Sequence, residues 1–129
     1  MERLVDLAGH ADLPVVVSDG HDYLQMAYYA SPEWASRFVE IVDPAQAVAY
    51  TGSDSVDKNQ LALASFYPLQ VYEFHDFAPN HPRFLLYSSG DVWWDWWPRR
   101  LRDDGYTLQI AAAEGREKIY FVTRNGTSP

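Results

Sequence analysis

The sequence predicts a three-layer α/β domain whose mostly parallel sheet carries an antiparallel hairpin at its C-terminal edge. Three observations predict it. Short apolar runs, Val15-Val16-Val17, Arg37-Phe38-Val39-Glu40-Ile41-Val42 and Phe84-Leu85-Leu86-Tyr87, are bounded by Pro, Gly or Asp and read as buried strands. Stretches with helical spacing separate them. Last, Tyr106 to Ala112 and Lys118 to Thr123 flank Glu114-Gly115-Arg116-Glu117, which is hairpin chemistry. The resulting order, β-α-β-α-α-β-α-β-β, places helices on both faces of a flavodoxin- or Rossmann-like sheet.

Residues 2–9 have amphipathic helical spacing through Leu4, Val5, Leu7 and Ala8. Pro14 opens the first strand, which closes at Ser18-Asp19-Gly20. A helix from His21 or Asp22 runs through Tyr28 and stops before Pro32, because a residue preceding proline avoids the α region. The second strand ends at Asp43-Pro44, an N-cap followed by proline at the first helical position. Its helix extends to about Tyr50. A polar loop is expected over 51–58, a helix over 59–66 and a short strand or turn at Gln70-Val71-Tyr72. A helical turn near Phe74 to Phe77 then leads into the strand Arg83 to Tyr87. Asp95 as N-cap and Pro98 in the first turn predict a helix from Trp96 to Asp103, closed by Gly105 at the left-handed C′ position. The whole chain, 1–129, reads as one domain, with a core over 14–124, a leading helix or linker over 1–13 and a tail over 125–129.

Composition sets the limits on function. The chain has 129 residues, no cysteine and a net charge of −8. An acidic surface repels nucleic acid and anionic membrane faces, so neither is an expected partner. Disulfide and thiolate chemistry are absent. No apolar run approaches the roughly 20 residues that span a bilayer, and no signal peptide is evident at Met1-Glu2-Arg3-Leu4-Val5-Asp6. Arg99, Arg100 and Arg102, with Asp95, Asp103 and Asp104 around them, read as a solvated helix face.

Polar groups sit at the ends of three strands: Ser18, Asp19 and His21 after the first, Asp43 after the second, Ser88 and Asp91 after the third. In open parallel sheets, ligands bind beyond the carboxyl ends of the strands, where the strand order reverses. If the first and third of these strands are neighbours, Asp19 and Asp91 face each other there. They then form a small polar pocket, for sugar hydroxyls or a cation. The simpler reading is that both aspartates are helix N-caps. Asp19-Gly20-His21 has the look of the opening of a two-metal phosphoesterase site, but Asn80-His81 precedes Gly90-Asp91 and no histidine follows 81. The donors run out, and no metal site is expected. No G-x-G-x-x-G, Walker A or G-x-S-x-G motif is present, and no cofactor or catalytic residue is expected.

Trp93-Trp94-Asp95-Trp96-Trp97 holds four of the five tryptophans. Trp97 and Leu101, four apart, should bury against the sheet. Trp93 and Trp94 are placed to cover the strand ends, and Trp94 and Trp96 are the expected exposed pair. Indole faces stack on sugar rings, which makes Trp93, Trp94 and Trp96 candidate binding residues.

Taken together, three sets of strings resemble a known family. They are Pro14-Val15-Val16-Val17-Ser18-Asp19 leading to Tyr28-Tyr29, Asp43-Pro44 leading to Tyr50-Thr51-Gly52-Ser53-Asp54, and Phe84-Leu85-Leu86-Tyr87 leading to Trp96 and Gly105. Over about residues 14 to 124 the chain resembles the soluble C-terminal domain of bacterial multi-spanning, protein-mannosyltransferase-like membrane glycosyltransferases. The resemblance implies a non-catalytic accessory domain on the extracytoplasmic, periplasmic face of the membrane. Its partners would be the enzyme's own membrane domain and a glycan or polyprenyl-linked sugar. The catalytic acid of that family lies in a loop between membrane helices, so no catalytic residue carries over to this chain. Two other readings stand beside it: a free-standing α/β interaction module, for which the cytoplasm is the expected compartment, and a small metal-dependent hydrolase using Asp19, His21 and Asp91.

Overall fold

A computed structural model of the chain describes residues 2–90 and 95–125. Six strands form one sheet in the order β3-β2-β1-β4-β6-β5. They are β1 (Val15–Val17), β2 (Phe38–Val42), β3 (Val71–Glu73), β4 (Arg83–Ser88), β5 (Tyr106–Glu114) and β6 (Glu117–Arg124). The first four are mutually parallel, and β6 and β5 extend the sheet antiparallel from β4. The mixed α/β sheet with its C-terminal hairpin at one edge is therefore observed.

The strands β1 and β2 are buried at every position, so both faces of the sheet are covered. Alternate residues supply two cores. Val16, Val39, Ile41, Phe84 and Leu86 point to one face and pack with Ala47, Phe74, Trp97 and Leu101. These come from α4 (Pro44–Thr51), α6 (Phe74–Phe77) and α7 (Trp97–Asp103). Val15, Val17, Phe38, Leu85 and Tyr87 point to the other face, against Leu4, Val5 and Tyr23 of α1 (Glu2–Ala8) and α2 (Gly20–Tyr29).

Local signals explain most boundaries. Asp19 accepts a hydrogen bond from the His21 N–H and Asp43 from the Gln46 N–H, so both are N-caps. Pro44 sits in the first turn of α4, and Gly52 closes that helix with φ 82°. Gly105 follows α7 with φ 87°. Two elements differ from expectation. A four-residue helix, α3 (Pro32–Ala35), uses Pro32 to start a new helix after α2 has ended. The fifth helix, α5 (Ser55–Ala64), begins inside the stretch expected to be loop and ends before Phe66. Its first turn holds an Asp54–Lys58 ion pair, and its buried residues are Asp57 and Gln60, so polar contacts anchor it instead of an apolar stripe.

The arginines of α7 are not a purely solvated face. Arg100 pairs with Asp43 at 2.9 Å and Asp104 at 2.7 Å, and its guanidinium lies over the Phe74 and Trp97 rings. Arg99 and Arg102 lie over Tyr50 and Tyr120. Their alkyl stems and planar heads cover aromatic surface that would otherwise meet water.

Candidate binding site

Strand β1 has β2 on one side and β4 on the other, so the chain leaves β1 in one direction along the sheet and returns on its far side at β4. The sheet order reverses there, and Val15–Val17 and Arg83–Ser88, whose pairing the sequence left open, are neighbours. Asp95 bridges this junction. Ser18 Oγ, from the end of β1, donates to Asp95 Oδ1, while Ser88 Oγ, from the end of β4, donates to Oδ2 at 2.8 Å. The Ser89 N–H reaches Oδ2 at 3.2 Å. Asp95 is buried, and it is not the N-cap of α7, a position held by Trp96 without a side-chain bond. Burial raises its pKa, and the bonds from Ser18, Ser88 and Ser89 oppose that rise.

Replacing Asp95 by alanine leaves two buried hydroxyls and an amide without their acceptor. The expected loss is about 2–4 kcal/mol of unfolding free energy, read from urea denaturation. Asp95→Asn keeps the shape and an acceptor oxygen, and should lose less than half of that. Equal losses in the two variants would show that the carboxylate charge, not the acceptor geometry, holds the junction.

Beside this junction lies a cavity of about 510 Å³. Ser18, Asp19, Gly20 and His21 enter it from the β1–α2 turn, Glu40 from β2, Ala47, Thr51 and Ser53 from α4 and its following loop, and Val56 and Asp57 from α5. Trp96 and Trp97 form an aromatic wall. Gly20 is required here for close approach: a Cβ would lie 3.0 Å from both Glu40 Oε1 and Val56 Cγ1.

Two buried carboxyl groups set the chemistry of this cavity. Glu40 is 3% exposed, and Gln60 Nε2 donates to its Oε2 at 2.7 Å and to the Gly20 carbonyl at 3.0 Å. Burial pushes the Glu40 carboxyl up to about 8, so it holds its proton at neutral pH. Asp57 accepts from the Asp43 N–H at 2.7 Å, and burial moves it to about 6. Among the described residues, no lysine or arginine lines the cavity.

The predicted residues divide as follows. Asp19 and His21 line the cavity, with Asp19 also capping α2. Asp43 caps α4 and pairs with Arg100. Ser88 is buried against Asp95 at the strand junction. Asp91, Trp93 and Trp94 lie outside the described residues. Trp96 was expected to be exposed, but it is 4% exposed, stacked between Tyr50 at 5.4 Å and Trp97 at 4.4 Å. Only a buried edge of it can serve the cavity. Trp97 and Leu101 are in the core as expected.

Glu40, Asp57, Gln60 and Asp95 are the site residues that sequence reasoning missed. Glu40 did leave a signal, as a lone acid within an otherwise apolar strand. Among the described residues, the acidic and imidazole groups whose ligand atoms gather within 4.8 Å are Glu73, His75 and Asp76, and neither Asp19 nor His21 belongs to such a group. No helix among the described residues is long and apolar enough to cross a membrane. No protein-family model matches the chain, and comparison with curated proteins and with solved structures gave no match either.

Proposed function

We propose that this is a Rossmann-like, non-catalytic accessory domain of a periplasmic-facing membrane glycosyltransferase, engaging the acceptor or glycan in the cavity beside β1. The observation that carries the reading is the cavity itself: about 510 Å³ at the carboxyl ends of β1 and β2, with hydroxyl and carboxyl groups converging on two indole rings. The hydroxyl and carboxyl groups are those that hydrogen-bond sugar hydroxyls, and the buried indole edges give the cavity an apolar side. The parallel order β3-β2-β1 is that of a dinucleotide-binding half-sheet, but the chain lacks the glycine fingerprint and, among the described residues, no lysine or arginine lines the cavity to meet a pyrophosphate. The same lack favours the neutral glycan over the polyprenyl phosphate as the part engaged. For the partner membrane domain, the uncharged groove lined by Tyr28, Tyr29 and Tyr67, each at least 60% exposed, offers a contact surface.

Two measurements test this reading. The native reading frame upstream of codon 1 should encode several apolar segments of about 20 residues, with an acidic first outer loop. A stop codon immediately before Met1 removes the membrane enzyme and leaves a free-standing binding module. In ¹H–¹⁵N NMR, a neutral oligosaccharide should shift the amides of Asp19, Thr51 and Ser53 and the Trp96 indole. Shifts confined to other surfaces would remove the cavity from the proposal.

A further inference from the structure

One long segment of the chain belongs to neither core. Between residues 51 and 68 only Asp57 and Gln60 are buried, and no apolar side chain there joins the packed clusters on the two faces of the sheet. By contrast, α1, α2, α4 and α7 are each fixed by buried apolar residues, among them Val5, Tyr23, Ala47 and Trp97. Two polar anchors fasten α5 instead. Asp57 accepts from the Asp43 N–H at 2.7 Å, and Gln60 donates to the Gly20 carbonyl at 3.0 Å and to Glu40 Oε2 at 2.7 Å. The segment also walls two hollows: Val56 and Asp57 line the cavity beside β1, and Leu63 and Tyr67 line the groove that holds Tyr28. Segments with few buried apolar contacts are the ones that open locally while the rest of a domain stays folded.

We propose that residues 51–68 form a lid on the cavity, which opens as a unit with α5 while the sheet stays folded, and which opens more as pH rises. This goes beyond the binding role, since the lid gates the cavity whatever ligand enters. Glu40, bonded to Gln60, couples the lid to pH. Asp19 and Tyr23 face it from the start of α2, Asp57 from α5, and its neighbour across β3 is Val71. Asp43 and Asp54 lie beyond Asp57, Lys58 pairs with Asp54, and His21 lines the cavity. With the lid shut, burial keeps the Glu40 proton on up to about pH 8. With the lid open, water returns the carboxyl towards its ordinary 4.5 and the proton leaves. The open form therefore binds fewer protons, and opening grows as pH climbs from 4.5 to 8. Asp57 acts with the same sign, but only up to about 6.

The test is native-state hydrogen exchange of the full chain, read by NMR at pH 6.5 and pH 8 and corrected for intrinsic rates. Amides from Asn59 to Ala64 should share one protection factor, about 100-fold or more below those of β1, β2 and β4, and insensitive to low urea. Between the two pH values their protection should fall about tenfold, and in Glu40→Gln it should stay level. Trypsin gives a readout that needs no variant. Cleavage after Lys58, corrected for the enzyme's own pH profile on a free peptide, should accelerate by a similar factor. Protection of α5 equal to that of the strands, lost with them in urea, overturns the lid. Protection that grades off from the helix ends means fraying and overturns it too. A lid that opens equally at both pH values, or with the same pH slope in Glu40→Gln, overturns the coupling through Glu40.

Discussion

Trp97→Ala is expected to cost about 3–5 kcal/mol of unfolding free energy, the range for deleting a large aromatic side chain from a packed core. Trp97 is 1% exposed, and its ring meets Trp96 at 4.4 Å and Phe74 at 5.1 Å while carrying the Arg100 guanidinium on its face. Its removal takes away the wall between α7 and the sheet and opens a void that Trp96 and Phe74, themselves held in stacks, cannot close. A domain has about 5–15 kcal/mol in total, so the variant should be close to unfolded at 37 °C. The check is a urea titration in which the midpoint falls while the slope holds. A loss below about 1 kcal/mol would mean that the aromatic cluster repacks freely, and the account of it as a rigid cavity wall would be wrong.

Glu40→Gln is expected to abolish most of the protein's loss of stability between pH 5 and pH 8.5. The sign follows from linkage. Glu40 titrates at about 8 in the folded protein against 4.5 in its ordinary state, so between those values the folded chain holds a proton that the unfolded chain has released. Stability from this group is therefore fully present below about pH 4.5 and declines as pH rises towards 8. Asp57 adds a smaller fall over the interval from 3.8 to about 6. For Glu40 the decline is on the order of a few kcal/mol. Glutamine preserves the shape and the acceptor for Gln60 but cannot ionise. Urea midpoints for wild type and variant, measured at pH 5 and pH 8.5, should converge at the acid end and separate at the alkaline end. Parallel curves would show that Glu40 is ionised and paired at neutral pH.

The fold was legible wherever a local signal carried it. Val15–Val17 and, apart from Glu40, Phe38–Val42 are apolar because both faces of their strands are covered, so burial is written directly into the run. The caps Asp19 and Asp43 are equally local, since an N-cap bonds an amide two or three residues on. The start of α5 was not legible. Ser55, Asp57 and Lys58 look like loop residues, and the helix is held by Asp57 bonding the Asp43 N–H and Gln60 reaching Gly20 and Glu40, partners 14 to 40 positions away.

The candidate site divides along the same line. The sequence by itself determined that polar residues collect at the carboxyl ends of parallel strands, because strand, turn and cap are decided by neighbours in the chain. The exposure of Trp96 was misjudged for the opposite reason. Its position beside Pro98 shows a helix start, but its burial depends on Tyr50, 46 residues earlier in the chain, supplying a ring to stack on. Likewise, Asp95 reads as a cap until Ser18 and Ser88 arrive from strands that pair only in the folded sheet. Only the tertiary structure decided which carboxyl groups lose their water and which keep it. Desolvation is set by everything packed around a group, and no spacing along the chain encodes that sum.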